Sequence, residues 1–349
     1  MSTNYYINRN RDNLRQLNQL LDELPSFCSV YFIGMSTTTT PLTRLGYARD
    51  LKTFFYYIVN FEPAFKRKQI KTLEIEDLNN VTNFMIENYI HYLSSYDLED
   101  GTVRQNSETG KKRKLCSVRS FFQFFYEKNL LKENVASKVR VPKIREKAII
   151  RLVGNETNQV LSTSESLRGF SDHQQKYNQR FIVRDQAILT LFLGTGIRVS
   201  ELVGLNVEDI DLKSNSFKVV RKGGNQTILY YNDEVKDALI KYLDFRENLR
   251  LPDTEPALFI SIQNKRMGVR SIENMVKKYA SVAVPLKNIT PHKLRSTFGT
   301  NLYHESNDIY LVAEVLGHKD VNTTKKHYAA MTEDLVKSAA DIIKIKKDD

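Results

Sequence analysis

The stretch 183-VRDQAILTLFLGTGIRVSELVGLN-206 begins with an apolar segment, and a pair of glycines separates that segment from a more polar one. The first segment has the character of a buried helix, and Gly194 and Gly196 predict its end because glycine readily adopts helix-stopping backbone angles. A second helix is predicted to begin close to Arg198. Glu201 follows three residues later on the same face, where its carboxylate could hold the Arg198 guanidinium. Taken alone, this spacing is also that of an ordinary surface ion pair.

A β-hairpin is predicted next, in 216-SFKVVRKGGNQTILYYN-232, because apolar and polar residues alternate on both sides of Gly223-Gly224. Lys222 lies at the edge of that turn, where a hairpin tip can carry one ammonium group into a groove. A turn lysine that only maintains solubility is the plainer interpretation of Lys222 by itself. Residues 257–261 (ALFIS) are predicted to form a short strand, and 269–283 a helix.

Another helix is predicted to begin at Thr290-Pro291, since threonine is a good N-cap and proline is preferred at the first helical position. His292 and Arg295 follow at i and i+3, one turn into this helix. Two cations near a helix N-terminus are unfavourable with the helix dipole. Their presence therefore favours a bound anion, such as a phosphate, at this position.

The segment 316-LGHKDVNTTKKHYAA-330 follows a predicted helix that ends at Gly317. His318 comes directly after this glycine. Tyr328 lies ten residues beyond His318, on a predicted short helix, close enough to fold back beside the histidine. The chain contains 18 tyrosines, so this segment alone does not single out Tyr328.

The N-terminal part is predicted to be helical and to contain several cations. Residues 13–24, 42–61, 81–96 and 111–131 have apolar residues at helical spacing. Two of these helices have a clear apolar face, formed by Tyr47, Leu51, Phe54 and Ile58 in one and by Leu115, Val118, Phe122 and Phe125 in the other. The cations Arg44, Arg49, Lys111, Lys112, Arg113 and Lys114 lie on these helices, where a solvated charge run is the simpler interpretation of the last four.

Composition limits the classes of protein to consider. The chain has 349 residues, a formal net charge of +11 and 41% hydrophobic residues, which indicate about two folded domains and a polyanionic partner, with nucleic acid ahead of membrane. Two cysteines exclude a disulfide framework and favour a reducing cytoplasm. Neither a signal peptide nor a membrane-spanning run is predicted. Residues 141–150 are basic and contain a proline, which predicts a linker between domains at 1–140 and 151–349.

Two arginines, two histidines and a lysine can surround one phosphodiester, and a tyrosine can be delivered to its phosphorus in line. Phosphoryl transfer needs positioning and stabilisation of charge on the phosphate oxygens. Metal-dependent enzymes use carboxylate clusters for this purpose, and the sequence contains no such cluster at helical or loop spacing. The pattern therefore predicts that arginine and histidine replace a metal ion.

This ordered set of R-x-S-E-L, hairpin lysine, H-x-L-R, L-G-H and tyrosine resembles the tyrosine site-specific recombinases, the integrase and Xer family. Within that family it is most similar to single-protein Xer recombinases of the XerS type. The resemblance implies a mainly α fold with a small β-sheet: an all-helical core-binding domain and a mixed α/β catalytic domain that clamp DNA. By resemblance, Arg198, His292, Arg295 and His318 bind the scissile phosphate, Lys222 is the general acid, Glu201 orients Arg198, and Tyr328 is the nucleophile.

The same resemblance implies strand exchange through a 3′-phosphotyrosyl bond and a Holliday junction, with no metal, ATP or other cofactor. The expected partners are a double-stranded recombination site, a homotetramer on two sites joined by a C-terminal exchange helix, and a DNA translocase of the FtsK type. The cations on the N-terminal helices become candidate phosphate contacts. This chain departs from the family pattern in one respect. In many members the tyrosine nucleophile lies one residue earlier, at the position that His327 occupies in this chain.

Several functions remain open at this point. Chromosome dimer resolution in the cytoplasm, for segregation at cell division, is the leading interpretation. An integrase of a phage or mobile element uses identical chemistry. A type IB topoisomerase and a non-catalytic DNA-binding protein that retains the fold are the remaining alternatives.

Overall fold

The computed structural model describes residues 3–97, 101–144, 150–221, 224–249, 251–252, 255–317 and 321. The chain divides into two compact units between residues 147 and 148. Helices dominate both units and the strands are short and antiparallel, so the predicted mainly α class with a small β-sheet is confirmed. Within the described ranges, no helix is both long and apolar enough to span a bilayer.

In the first unit, a long central helix packs against three others. The helices are α1 (Thr3–Leu21), α2 (Phe27–Gly34), α3 (Pro41–Phe61), α4 (Asn83–Tyr92) and α5 (Glu108–Glu127). Helix α3 contacts α1, α4 and α5. We expected this unit to be all-helical, but it also contains two short strands, β1 (Tyr96–Asp97) and β2 (Val103–Arg104), which pair antiparallel. These strands have only two residues each, too short to produce a detectable alternating pattern.

The core of the first unit is rich in aromatic side chains. Leu51, Phe54 and Ile58 of α3 are buried, as their helical spacing predicted, while Tyr47 is half-buried at the margin. The predicted face of α5 is buried along its whole length. Rings from α2, α3 and α5 meet edge to face, for example Phe55 against Phe121 at a centroid distance of 5.8 Å. This is the geometry that aromatic pairs prefer.

Asp50 is a fully buried carboxylate that joins α3 to α5. Its oxygens accept hydrogen bonds from Arg113, from Lys114 Nζ at 3.3 Å and from Ser117 Oγ at 2.8 Å. Lys114 also donates to Thr53 Oγ1 at 3.3 Å. A buried charge is tolerated only when it is paired and hydrogen-bonded. Two of the cations at the start of α5, Arg113 and Lys114, therefore have a structural role, because they neutralise a buried carboxylate.

Substitution of Asp50 by alanine is expected to destabilise the first unit by about 3–5 kcal/mol, because Lys114 would remain buried without its counter-ion. Chemical denaturation followed by circular dichroism measures this change. Lys52→Ala on the same helix is the matched control, since it breaks an exposed ion pair to Glu23 and should cost less than about 1 kcal/mol. Equal losses in the two variants would contradict the structural role of Asp50.

The second unit is a helical body with one small sheet. Its α-helices within the described residues are α6 (Glu156–Ser166), α7 (Asp172–Gln179), α8 (Ile182–Thr195), α9 (Val199–Gly204), α10 (Asp233–Glu247), α11 (Val269–Ala283), α12 (Pro291–Ser306) and α13 (Ile309–Leu316). Helix α8 is central and contacts α6, α10 and α12. Gly194 lies inside its last turn rather than beyond its end. A glycine is needed there because a Cβ would be 2.4 Å from Val235 of α10.

The sheet consists of β3 (Ile210–Asp211), β4 (Ser216–Val220) and β5 (Gln226–Tyr230) in that order, all antiparallel. Strands β4 and β5 form the predicted hairpin, with Val220 opposite Gln226 next to the turn. The prediction of a short strand at residues 257–261 is wrong. Its residues form isolated bridges, Ala257 to Asn206 and Ile260 to Arg266, and among the described residues no continuous strand pairs with them.

Candidate functional site

Arg198 stands at the junction between α8 and α9, where the chain is extended before the new helix begins. The Glu201 carboxylate accepts a bond from the Arg198 backbone N–H at 3.0 Å and from Arg198 Nη1 at 2.8 Å. Glu201 is buried, whereas the Arg198 side chain is 35% exposed. The carboxylate therefore fixes one edge of the guanidinium and leaves the group partly open to solvent.

Arg295 lies in the second turn of α12 and is buried. One guanidinium nitrogen donates to the carbonyl of Gly196 at the end of α8, and the other donates to the carbonyl of Leu316 at the end of α13. A bound anion is one reason for this cation at the unfavourable end of its own helix. The structure adds a second cause, since the negative C-terminal ends of α8 and α13 accept the charge.

Arg198 and Arg295 converge on one place. Arg198 Nη2 donates to the carbonyls of Leu316 at 3.2 Å and Gly317 at 3.0 Å, and Leu316 is also an acceptor for Arg295. Two arginines 97 positions apart in the sequence thus share one carbonyl oxygen. Asp308 caps the opposite end of α13 by accepting bonds from the Tyr310 and Leu311 N–H groups. The short α13 is held at both ends, with Arg198 and Arg295 among the cations at its C-terminus.

Two glycines permit this convergence. Gly196 has φ +62°, and a Cβ there would approach Phe298 of α12 to 2.4 Å and Leu316 to 2.9 Å. Gly317 has φ +61°, and a Cβ there would fall 1.7 Å from Nη1 of Arg221. Both positions require left-handed backbone angles and leave no space for a side chain. The ends of α8 and α13 can therefore approach closely enough for one arginine to bond both.

The remaining predicted residues of the phosphate site are only partly described. His292 is exposed in the first turn of α12, while Arg295 on the next turn is buried, so the two side chains differ in environment. Thr290 is the N-cap of this helix, but its side chain accepts no capping bond within the described structure. Lys222, His318 and Tyr328 lie outside the described residues, as does the predicted C-terminal exchange helix.

The predicted DNA contacts on the first unit separate into different environments. Lys112 is exposed, and Arg49 is exposed with a bond to Gln16 at 3.1 Å. Lys111 bonds Glu108 at 2.8 Å, and Arg44 is half-buried. The prediction for Lys114 is wrong, because its buried ammonium group is directed to Asp50 and Thr53 rather than to solvent. Arg113 also bonds Asp50, although its side chain is 55% exposed.

One residue of this region was missed by the sequence analysis. Arg221, the last residue before Lys222, donates from Nη2 to the carbonyl of Val315 at 3.1 Å. Its guanidinium therefore joins those of Arg198 and Arg295 at the end of α13. No local pattern could reveal this contact, because Arg221 reads as one more polar residue of a hairpin.

Comparison with known proteins identifies relatives of both units. A family model described as the phage integrase family matches residues 151–334. A tyrosine recombinase XerC from Caldanaerobacter subterraneus subsp. tengcongensis is 32% identical over 295 residues, covering 82% of this chain and 77% of the relative. The XerC from Thermodesulfovibrio yellowstonii is 36% identical over 232 residues, covering 65% of this chain and 73% of the relative.

Solved structures with the same fold include two recombinases in complex with DNA. One is the XerH site-specific recombinase bound to a palindromic difH substrate in a post-cleavage complex, with a TM-score of 0.63, 19% identity and coverage of 86% of this chain and 80% of that one. The other is a lambda integrase tetramer bound to a Holliday junction, with a TM-score of 0.61, 15% identity and coverage of 86% and 76%. At these identities the likeness concerns the fold.

Proposed function

Since this chain belongs to the phage integrase family and is an Xer-type tyrosine recombinase, an enzyme that breaks and rejoins DNA, we propose that it resolves chromosome dimers at a dif-like site. In this proposal two recombination sites are held by four copies of the chain. Strands are exchanged in two rounds through a Holliday junction. A DNA translocase of the FtsK type is the proposed partner in the cell, while the strand exchange itself needs only the protein and its two sites.

The proposed chemistry conserves the energy of the broken bond. Tyr328 attacks the scissile phosphorus as the phenolate that the surrounding cations favour, a 3′-phosphotyrosyl bond forms, and the 5′-oxygen leaves with a proton from Lys222. The 5′-hydroxyl of the partner strand then returns a proton to Lys222 as its oxygen attacks the phosphorus, and the tyrosine leaves as the phenolate. Arg198, Arg295, His292 and His318 would stabilise the charge on the non-bridging oxygens, which is the main requirement of phosphoryl transfer.

The convergence of Arg198 and Arg295 at the end of α13 is the observation that carries this proposal. The two guanidinium groups are held by Glu201 and by the carbonyls of Gly196, Leu316 and Gly317. Planar guanidinium forks match the geometry of phosphate oxygens. Because the chain continues from Gly317 directly into His318, the arrangement supports a phosphate site at that point of the fold.

Support for a dif-like target comes from the relatives. The curated proteins matched over most of this chain are named XerC, and the XerH structure contains a difH substrate. An integrase of a mobile element uses the same chemistry as a recombinase that resolves chromosome dimers. The two functions therefore differ in the DNA site on which the protein acts. We infer the chromosomal site because the two relatives described above that share more than 30% sequence identity with this chain are both named XerC.

The test uses a supercoiled plasmid with two directly repeated copies of a dif-like site from the host chromosome, near its replication terminus. Purified protein should convert this plasmid into two smaller circles without added metal or nucleotide. A plasmid with one intact and one scrambled site is the matched control and should remain unchanged. Relaxation of both plasmids without recombination would indicate a topoisomerase. Recombination only at an element's attachment site would indicate an integrase.

Lys112 provides a test of DNA binding by the first unit. It is exposed on α5, and each phosphate contact adds about one to the slope of log affinity against log salt concentration. Lys112→Ala should therefore lower that slope by about one, as measured by fluorescence anisotropy with a labelled duplex. Lys52→Ala, which removes a cation already bonded to Glu23, should leave the slope unchanged. A slope unaffected in the Lys112 variant would exclude Lys112 as a phosphate contact.

A further inference from the structure

Arg221 occupies the point where the hairpin tip meets the end of α13. Its backbone N–H donates to the Asn225 carbonyl at 2.8 Å, and its carbonyl accepts from the Gly224 N–H at 3.0 Å. These two bonds join Arg221 to Gly224 and Asn225 at the end of the β4–β5 hairpin. The same residue extends its side chain across to α13 and bonds the Val315 carbonyl at 3.1 Å. Backbone and side chain of one residue therefore join two parts of the candidate site.

Arg221 also packs against Gly317, the residue that ends α13. A Cβ on Gly317 would be 1.7 Å from Nη1 and 2.3 Å from Cζ of Arg221. The guanidinium thus lies directly over the α-carbon of Gly317. Any other residue at position 317 would displace Arg221, in addition to the strain of a left-handed backbone. Gly317 therefore leaves the space that the Arg221 guanidinium occupies.

Three guanidinium groups bond the last carbonyls of α13 in succession. Arg221 bonds Val315, Arg295 bonds Leu316, and Arg198 bonds both Leu316 and Gly317. The three positive charges repel one another, which is electrostatically unfavourable. Burial lowers the pKa of Arg221, the nearby Glu201 carboxylate opposes this effect, and the Arg198 charge adds to it. Like charges this close persist where the C-terminal carbonyls of a helix, or a bound anion, offset their repulsion.

We propose that Arg221 is a positioning residue for DNA cleavage, which holds the C-terminal turn of α13 in place so that Arg198 and Arg295 meet the scissile phosphate together. This inference rests on the proposed function. Arg198 and Arg295 share the Leu316 carbonyl as an acceptor, so a shift of that turn moves both guanidinium groups. Arg221 is the contact that secures the turn from the hairpin side.

Lysine cannot replace Arg221 fully. A lysine ammonium group could bond the Val315 carbonyl, but it has no planar group to cover Gly317. Arg221→Lys should therefore retain part of the activity, and Arg221→Ala less. Gly317→Ala should reproduce the alanine variant from the other side of the contact, because its new methyl group would occupy the position of the guanidinium.

A test must separate this role from simple support of the fold. A nicked suicide duplex carries the dif-like site, either with a normal phosphodiester or with a methylphosphonate at the scissile position. The methylphosphonate is neutral, so it makes little demand on the two arginines that face the charge. Single-turnover formation of the covalent adduct is measured with saturating enzyme. The ratio of the two rates in one preparation does not depend on how much of that preparation is folded.

On the phosphodiester, Arg221→Ala should cleave about 10- to 100-fold more slowly than wild type, the effect of a misplacement near 1 Å. On the methylphosphonate the difference should shrink to within about 3-fold, with Gly317→Ala behaving alike. Arg246→Ala is the matched control, since this arginine of the same unit also donates to backbone carbonyls, those of Ala257 and Glu255. It should change both rates by the same factor.

The possible outcomes distinguish failure of the positioning role of Arg221 from failure of the proposed function. If the wild type forms no adduct on either substrate, the proposed function fails and this inference fails with it. If the wild type is active and Arg221→Ala matches it, or slows both substrates equally as Arg246→Ala does, the positioning role is overturned and the proposed function stands. A selective loss on the charged substrate supports the positioning role.

Discussion

Replacement of Tyr328 by phenylalanine is expected to abolish covalent attachment of the protein to DNA. Phenylalanine has no oxygen, so no bond to the scissile phosphorus can form at that position. Loss of a nucleophile lowers turnover by many orders of magnitude in enzymes that form covalent intermediates. We expect at least about a 10⁴-fold decrease in adduct formation on a nicked suicide duplex, resolved by denaturing electrophoresis.

The control for this prediction is another tyrosine of the second unit. Tyr310 lies on α13, close in sequence to Tyr328, and is 64% exposed. Tyr310→Phe should form adduct within about 2-fold of wild type, since an exposed substitution away from special features is nearly neutral. Binding of the duplex should be similar for both variants. An adduct formed by Tyr328→Phe would exclude this tyrosine as the nucleophile, and peptide mapping would then locate the true one.

Replacement of Arg295 by alanine is expected to reduce cleavage by about 10³-fold, because one charged donor to the reacting phosphate is lost. The structure adds a second reason. The Gly196 carbonyl would lose the Arg295 donor and the Leu316 carbonyl would keep only Arg198, and an unsatisfied buried polar group costs about 1–3 kcal/mol. The ends of α8 and α13 should therefore separate, and Arg198 should lose its alignment as well.

Arg295→Lys separates the two contributions. The positive charge is retained, but one ammonium group cannot bond two carbonyls and a phosphate in the planar geometry of a guanidinium. We expect this variant to fall between alanine and wild type in cleavage rate, and thermal unfolding measures how much stability each variant has lost. Full activity in Arg295→Ala with normal stability would show that Arg295 faces neither the phosphate nor the essential turn.

Much of the fold could be predicted from local patterns. The buried faces of α3 and α5 follow from apolar spacing, and the β4–β5 hairpin follows from alternation around Gly223-Gly224. The ends of α8 and α13 follow from Gly196 and Gly317, whose positive φ angles are intrinsic to glycine. Failures occurred where local pattern is weak. The two-residue strands β1 and β2 are too short for alternation, and residues 257–261 have strand composition without a partner strand.

The candidate site could be predicted as a set of residue types but not as an arrangement. Arg198 and Glu201 are three residues apart, and their contact follows from helical geometry alone. The bond between Arg198 and Gly317 spans 119 positions, and that between Arg221 and Val315 spans 94. No periodicity extends over such distances. Which side chains meet then depends on the path of the whole chain.

The same limit applies to the basic residues of α5. Their charge alone made Lys112 and Lys114 equivalent, and only the packing of α3 against α5 buries Lys114 beside Asp50 while leaving Lys112 in solvent. Helix ends, buried faces, net charge and the order of the chemical groups can be derived from the amino-acid sequence, because they depend on backbone preference and composition. Which cations neutralise a buried carboxylate, and which three gather at the end of α13, follows only from the folded chain, because burial and long-range contact set the energy of a charge.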